Sequence, residues 1–173
     1  MAGLILPYNG ILPRIHPSVF IADGAVIIGD VEIGADSNVW FNCVLRGDVH
    51  EIRVGERTNI QDGTIVHCTK NGHGTYIGSD ITIGHNATIH ACTLKDDSFI
   101  GMGTTILDGA VVESQAMLAA GAVLTPGKRI ASGELWAGNP AKKLRDLSPD
   151  DISFFPKSAA HYVTLSKSYM VVP

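Results

Sequence analysis

The chain has 173 residues, of which 45% are hydrophobic and 17% are charged, so it can bury a core and is not intrinsically disordered. Its net charge of −4 and the absence of any Lys/Arg run argue against nucleic-acid binding. No apolar stretch approaches the roughly 18 residues that a membrane span needs, and the N-terminus lacks the basic head of a signal peptide. We therefore expect a cytoplasmic protein that binds neither nucleic acid nor membrane.

An aliphatic residue recurs at every sixth position along most of the chain. A period of six fits neither an α-helix nor a simple alternating strand, and it indicates short strands separated by turns. We expect these leading residues to stack inward, with small or β-branched corner residues four positions later, for example Ala25, Val49, Thr93 and Ala122. The leading positions are Ile15, Ile21, Ile27, Ile33, Val39, Leu45, Val54, Ile60, Val66, Ile77, Ile83, Ile89, Ile100, Ile106, Val112, Leu118, Leu124, Ile130 and, last, Trp136.

This pattern resembles the hexapeptide-repeat family, whose left-handed parallel β-helix places three repeats in each triangular coil. The resemblance implies an all-β fold with a C-terminal α-helical tail. We assign residues 1–14 to an N-terminal lead-in strand, 15–140 to the β-helix domain and 141–173 to the helical tail, which we expect to pack on the coil. Ser148 and Pro149 predict the start of a helix, and Pro156 predicts an interruption that divides the tail into two helical stretches.

Breaks in the period predict excursions from the coil. The interval from Leu45 to Val54 is three residues longer than one repeat, and that from Val66 to Ile77 is five longer. The second insertion is polar and rich in glycine between residues 70 and 74, which predicts a protruding loop. The interval from Ile89 to Ile100 is one residue short of two repeats.

Three histidines occupy positions in the six-residue repeat that allow their faces to be compared. His67 and His90 each follow a leading residue, three repeats apart, so they should lie on the same face about one strand spacing (~4.8 Å) apart. His85 belongs to the preceding face, and a partner subunit could bring it to the other two. Three histidines at an interface suit a catalytic zinc ion, whose fourth position holds water. The spacing by itself leaves ordinary surface histidines as an equal alternative.

The cysteines Cys43, Cys68 and Cys92 form no C-x-x-C pair. We expect three reduced, buried side chains. A supporting role for Cys68, which follows His67, stays open.

The motifs Leu45-Arg46-Gly47-Asp48, Asn59-Ile60-Gln61-Asp62, His67 and Gly84-His85 through His90 together resemble the γ-class carbonic anhydrase family, and the similarity spans the whole chain. The resemblance implies a homotrimer that hydrates carbon dioxide reversibly to bicarbonate. It also implies a metal ion between subunits, bound by His67 and His90 of one chain and His85 of the next. Zinc is the expected ion, with Fe²⁺ and Co²⁺ as alternatives.

The same resemblance implies roles for six further residues. Gln61 would orient the metal-bound hydroxide, Arg46 and Asp62 would pair across the interface, and Asp48 would support them. Asn59 and Tyr162 would line the same pocket. Each residue has a structural alternative: a salt-bridge set for the charged residues, a turn amide for Gln61 and simple packing for Tyr162.

The loop between Lys70 and Thr75 departs from the best-studied type of that family because it contains no Asp or Glu. His73 is its candidate proton relay. Two other functions remain open on the same fold: an acyl-CoA-dependent acyltransferase, which uses a histidine as general base, and a thioesterase-like or non-catalytic relative that keeps the metal site.

Overall fold

The structure is a computed structural model that describes residues 3–170. Within this range the chain forms twenty strands and one helix. In chain order they are β1 (Leu4–Leu6), β2 (Arg14–Ile15), β3 (Phe20–Ile21), β4 (Val26–Ile33), β5 (Asn38–Val39), β6 (Val44–Val54), β7 (Asn59–Ile60), β8 (Ile65–His67), β9 (Thr75–Ile77), β10 (Thr82–Ile83), β11 (Thr88–His90), β12 (Thr93–Leu94), β13 (Phe99–Ile100), β14 (Thr105–Ile106), β15 (Val111–Val112), β16 (Met117–Leu118), β17 (Val123–Leu124), β18 (Arg129–Ile130), β19 (Glu134–Ala137), β20 (Lys142–Asp146) and α1 (Pro149–Met170).

The strands wind into a parallel β-solenoid of about seven coils with three faces. Strands β8, β11, β14 and β17 stack on the first face, and β9, β12, β15 and β18 stack on the second. The third face runs from β3 to β19 and ends with the antiparallel strand β20. The long strands β4 and β6 turn a corner and contribute to the first two faces together. The predicted parallel β-helix with a helical tail is confirmed.

The leading residues form one continuous core along the axis of the solenoid. Those from Ile27 to Ile130 are all at most 5% exposed, and Ile15, Ile21 and Trp136 are partly buried at the two ends. One repeat cannot bury its own apolar face, so each coil gains its stability from its neighbours. Several corners adopt a left-handed backbone, which Gly, Asn and Asp tolerate best, as at Asn86 and Asp97.

The breaks in the period have distinct structural outcomes. The extra residues after Leu45 continue as the extended strand β6, whose pairing with β4 shifts in register between Gly29 and Val31. Val49 consequently lies exposed at 37% instead of filling a corner, so that part of the prediction is wrong. Thr93 is also not a corner residue, because Leu94, 1% exposed, is a further leading residue that pairs with Ile77. The segment from 70 to 73 is exposed, as the loop prediction requires.

The tail begins with strand β20 rather than with a helix, which the sequence analysis did not predict. From Pro149 to Met170 it is one helix, so the predicted interruption at Pro156 is wrong. A proline in a helix removes one backbone hydrogen bond, and packing against the coil offsets that loss. Phe155 and Ala159, on either side of this proline, are buried, and the Phe155 ring stacks on Phe99 of β13 with centroids 5.3 Å apart. The helix lies on the third face, where it contacts strands β3, β5, β7 and β10.

The start of the helix agrees with the sequence prediction. The hydroxyl of Ser148 accepts a hydrogen bond from the backbone N–H of Asp151 at 3.1 Å. The carboxylate of Asp151 in turn accepts one from the backbone N–H of Ser148 at 2.8 Å. This reciprocal capping box satisfies two backbone donors that would otherwise lack partners.

Candidate metal centre

His67 and His90 lie side by side on the first face, at the ends of β8 and β11. The two residues are paired in register, and Arg46 stands in the same row on β6. The ring atoms His67 Nδ1 and His90 Nε2 are 3.2 Å apart. The six-residue repeat therefore predicted correctly that His67 and His90 share a face, because three repeats make one full coil.

A carboxylate contacts the outer nitrogen of each of these two rings. Asp48 Oδ1 lies 3.0 Å from His67 Nε2, and Asp108 Oδ1 lies 2.6 Å from His90 Nδ1. An imidazole that donates one N–H to a carboxylate keeps a lone pair on its other nitrogen. The two inner nitrogens, His67 Nδ1 and His90 Nε2, are thus the ones left to accept.

This arrangement fits a metal ion. Two acceptor nitrogens that face each other repel unless a proton or a cation lies between them. Two ligand atoms bound at about 2.0–2.1 Å to a tetrahedral zinc ion lie about 3.3–3.4 Å apart, close to the 3.2 Å between the two inner nitrogens. Imidazoles that are each held by a carboxylate are ligands that zinc commonly uses.

His85 occupies the turn after β10, between the third and the first face. Its Nδ1 lies 2.8 Å from Asp62 Oδ2, so it too is held by a carboxylate. Its side chain is 40% exposed. Among residues 3–170, no cluster of three potential ligand atoms within 4.8 Å of one another joins His85 to His67 and His90. Within one chain, His85 is apart from the other two histidines.

The charged residues pair differently within the chain from the pairing that the resemblance implies. Arg46 makes a close salt bridge with Asp48, while Asp62 contacts His85. Burial alone would raise the pKa of Asp48, but hydrogen bonds from His67 and Arg46 outweigh it and lower that pKa below its usual value. Asp48 is therefore held as the anion that faces His67.

Asn59 and Gln61 are buried on β7 and directly after it, under the helix. The Gln61 side-chain amide donates to Asn59 Oδ1 at 3.0 Å, and Asn59 donates to Thr82 Oγ1 at 2.9 Å. The Thr82 hydroxyl also bonds Ser158 of the helix at 2.9 Å. This row of polar groups ties α1 to the third face and fixes the Gln61 amide.

A groove of about 590 Å³ lies between α1 and the coil, beside His85. Gln61 and Tyr162 line it together with mainly apolar side chains, which include Phe99, Met102, Met117 and Phe154. Tyr162 packs edge-on against Trp40 with ring centroids 5.6 Å apart. Burial, and after it the negative charge of Asp62, raises the pKa of Tyr162. Tyr162 therefore both packs and reaches the side of the groove where Asp62 holds His85.

Asp48, His67 and Cys68 form another group of potential ligand atoms within 4.8 Å of one another. Cys68 donates its S–H to the backbone carbonyl of His50 at 3.0 Å, and burial raises the pKa of its thiol. A neutral thiol that serves as a donor is a poor ligand. All three cysteines are free and buried, as expected from the sequence.

Asp108 was missed by the sequence analysis, and the six-residue period does not place it in the row of His90. Ile106 on β14 pairs with Ile89 on β11, so Asp108 lies one residue beyond the position that stacks on His90, and its carboxylate reaches back to the ring. Its carboxylate accepts a hydrogen bond from the hydroxyl of Thr69 as well. The hydrogen bond from the Thr69 hydroxyl is the main cause that lowers the pKa of Asp108 below its usual value, and the contact with His90 lowers it further.

The solenoid, the helix against its third face and the paired histidines define a hexapeptide-repeat protein with a candidate metal centre. Residues 12–47 match the family described as bacterial transferase hexapeptide (six repeats). The chain is 44% identical to a probable carbonic anhydrase of Methanocaldococcus jannaschii over 89% of this chain and 96% of that one. This chain is also 49% identical, over 90% of its own length, to the protein of Arabidopsis thaliana named Gamma carbonic anhydrase 2, mitochondrial. The chain belongs to the γ-class carbonic anhydrase family.

The chain spans 58% of the length of that Arabidopsis relative. Solved structures agree on the fold. A hexapeptide transferase family protein from Anaplasma phagocytophilum is 50% identical, with a TM-score of 0.93 and coverage of 96% of this chain and 98% of that one. A protein of Bacillus cereus described as a putative acetyltransferase is 38% identical, with a TM-score of 0.95 and coverage of 98% of both chains.

Proposed function

We propose that this protein is a zinc-dependent carbonic anhydrase that works as a homotrimer, in which His67 and His90 of one chain and His85 of the next bind the metal. The observation that carries the proposal is the pair of inner nitrogens, His67 Nδ1 and His90 Nε2, at 3.2 Å with a carboxylate behind each ring. The separation of His85 from this pair supports a site shared between chains, because the third ligand must come from elsewhere.

Zinc, when bound, acidifies a coordinated water so that a nucleophile is available near neutral pH, as is established for carbonic anhydrases. The residues of this chain hold the ligands for that chemistry. Asp48 and Asp108 fix the rings of His67 and His90, and Asp62 fixes that of His85. Because the outer nitrogen of each ring donates its N–H to a carboxylate, the inner nitrogen stays free to bind.

Gln61 is suited to orient the reacting groups. Its amide N–H bonds Asn59, which leaves its carbonyl oxygen as the acceptor at the groove. An acceptor in that place can hold the proton of a water or hydroxide and aim its lone pair at the substrate. We assign Asn59 the task of holding Gln61, and Arg46 that of holding Asp48 as an anion.

We assign the groove beside His85 to carbon dioxide. Carbon dioxide is small and carries no net charge or dipole, so an apolar wall holds it without competing for its oxygens. The side chains of Phe99, Met102 and Phe154 provide such a wall, and Tyr162 lines the same groove. Bicarbonate, which is charged and strongly hydrated, is disfavoured in these surroundings and would leave.

We also retain the predicted cytoplasmic location as part of the proposal. No helix among residues 3–170 is long and apolar enough to cross a membrane. The Arabidopsis relatives are named as mitochondrial proteins, so the compartment has to be measured by fractionation of the source cells.

The decisive experiment is metal analysis of protein purified without chelator, combined with a carbon dioxide hydration assay on the same sample. We expect about one ion per chain, zinc rather than iron or cobalt, and hydration activity that a chelator abolishes and zinc restores. Bound metal without hydration would overturn the enzymatic proposal and leave a non-catalytic or thioesterase-like relative. Full activity in protein stripped of metal would overturn the role of the metal.

An acyltransferase is the second candidate, and the observation that favours it is the similarity to the Bacillus cereus protein described as a putative acetyltransferase. The apolar groove beside His85 offers space for an acyl group, and the histidine could act as the general base. Transfer of acetyl from acetyl-CoA to hydroxyl or amine acceptors by metal-free protein would support this candidate. Loss of that transfer in His85→Ala would assign the base.

A further inference from the structure

Asp108 and Thr69 form a support for His90 that reaches from the metal centre to the exposed loop. Asp108 Oδ1 lies 2.6 Å from His90 Nδ1, and its second oxygen accepts the hydroxyl proton of Thr69. Both carboxylate oxygens are thus engaged, one by the ring and one by the start of the loop. A carboxylate held at both oxygens cannot rotate away from the ring.

Thr69 is itself held by the loop that it begins. Its backbone N–H donates to the carbonyl of His73 at 3.1 Å, and its carbonyl accepts from Gly72 at 3.3 Å. These bonds close the segment from 69 to 73 into a compact turn. The corner of the next coil is tied down as well, because the backbone carbonyl of Asp108 accepts from Gly127 at 2.9 Å. Backbone hydrogen bonds on both sides therefore position the Thr69–Asp108 contact.

We propose that Asp108 is a positioning residue that fixes the tautomer and ring orientation of His90 for metal binding, and that Thr69 positions Asp108. This inference rests on the metal site of the proposed function. It concerns how His90 is presented and is independent of which reaction follows. A proton on Nδ1 leaves Nε2 as the ligand atom, and Nε2 is the atom that faces His67 at 3.2 Å.

The alternative is that Asp108 only stabilises the corner of the solenoid. The two roles differ in what a variant changes. A structural carboxylate alters the stability of the metal-free protein and leaves the affinity for metal nearly unchanged. A positioning carboxylate changes the affinity and the protonation of the ring, because carboxylates that support ligand histidines typically contribute about 10- to 100-fold to metal affinity.

The test measures zinc affinity of the full chain by competition with a chromophoric chelator, for the parent, Asp108→Asn, Asp108→Ala, Thr69→Val and Thr69→Ser. We expect Asp108→Asn and Asp108→Ala to weaken binding about 10- to 100-fold. Thr69→Val should cause a smaller loss of zinc affinity, and Thr69→Ser, which keeps the hydroxyl, should retain the affinity of the parent. The matched control is Asp97→Asn, which removes one negative charge at another corner and should bind zinc as the parent does.

The second readout is the histidine region of the ¹H–¹⁵N spectrum of zinc-loaded protein labelled at histidine nitrogen. In the parent, His90 should show a slowly exchanging proton on Nδ1, and this signal should disappear or move upfield in Asp108→Ala. Thermal unfolding of metal-free Asp108→Asn should match the parent closely.

These measurements separate the inference from the proposed function. Reduced zinc affinity in the Asp108 variants of a parent that binds zinc but does not hydrate carbon dioxide would support the inference and overturn the function. Affinities of Asp108→Asn and Asp108→Ala within about twofold of the parent, with an unchanged His90 signal, would overturn the inference. A parent that binds no zinc would overturn both.

Discussion

His67 Nδ1 and His90 Nε2 face each other at 3.2 Å across two adjacent coils of the solenoid. The residues are 23 positions apart in sequence, and the coil alone brings them into register. Each ring has its own aspartate on the outer side, and so does the more distant His85. The three histidines and their three carboxylates are thus divided between two places on the chain, and the proposed site shared between subunits rests on this division.

Removing any of the three histidines should remove most of the bound metal. Two remaining ligands hold a catalytic zinc ion poorly, so His67→Ala, His90→Ala and His85→Ala should each lose most zinc by elemental analysis. His85→Ala should loosen the trimer as well, as measured by light scattering. His16→Ala is the control, because His16 is exposed and bonds the hydroxyl of Ser18. Unchanged metal content in all three variants would contradict the proposed ligand set.

Mixed trimers should recover metal sites that neither variant has alone. When His85→Ala and His67→Ala chains are unfolded and refolded together, some sites combine an intact His67–His90 pair from one chain with an intact His85 from the other. Random assembly should restore about a quarter of the sites. Zinc content of the mixture, compared with each variant refolded alone, measures this recovery. No recovery in a mixture that forms trimers would show that one chain supplies all three ligands.

Proton export should limit hydration, because the loop from Lys70 to Thr75 has no carboxylate to carry a proton. His73 lies beside Gly109 and next to the Asp108 corner, so it is the group in this loop placed to relay one. We expect imidazole-type buffers to raise turnover, and to raise it more in His73→Ala than in the parent. Stopped-flow assays at several buffer concentrations test this. Turnover that ignores buffer in both proteins would mean that chemistry, not proton transfer, is slow.

Truncation of a leading residue should destabilise the solenoid far more than truncation of its neighbour. Leu124 is fully buried, whereas Val123, the preceding residue on β17, is only partly buried. Leu124→Ala should cost about 2–5 kcal/mol of unfolding free energy, because it leaves a cavity that the stacked coils cannot close. Val123→Ala should cost clearly less. Urea unfolding monitored by circular dichroism compares the two, and equal losses would contradict the inward stacking.

The helix start should make a pH-dependent contribution to stability through Asp151. The Arg145 guanidinium, and after it the N–H and hydroxyl of Ser148, hold the pKa of Asp151 well below its usual value. A carboxyl with a depressed folded pKa stabilises the fold above its unfolded pKa, and this contribution is lost as pH falls. Asp151→Asn should therefore lower the melting temperature at pH 7, and the difference from the parent should shrink below about pH 4.

Asp150→Asn is the matched control for this prediction. It removes the same charge from the same helical turn, but the Asp150 side chain lies outside the capping box. The two variants share any interaction with the helix dipole, so their difference reports the capping box and Arg145. Equal effects of the two substitutions across the pH range would contradict a specific role for Asp151.

The sequence by itself determined the solenoid and the alignment of His67 with His90. A six-residue period repeated along the chain permits one kind of stacking, and stacking fixes which residues share a face. The period did not identify Asp108, which lies one residue beyond the position that stacks on His90, and only its contact with the ring gives that aspartate a role. The start of the helix at Ser148 was local information too, because a capping box involves neighbouring residues.

Only the tertiary structure decided how the side chains are partnered. Asp62 contacts His85 and Arg46 contacts Asp48, and no spacing distinguishes these pairs from the reverse. Pro156 remains within one helix because Phe155 and Ala159 are buried against the coil, and the strength of that packing is invisible in a local pattern. The six-residue period is a local pattern that can be read along the chain. Side-chain pairs and the continuation of the helix through Pro156 depend on contacts between residues far apart in sequence, and these contacts form only once the coils have stacked.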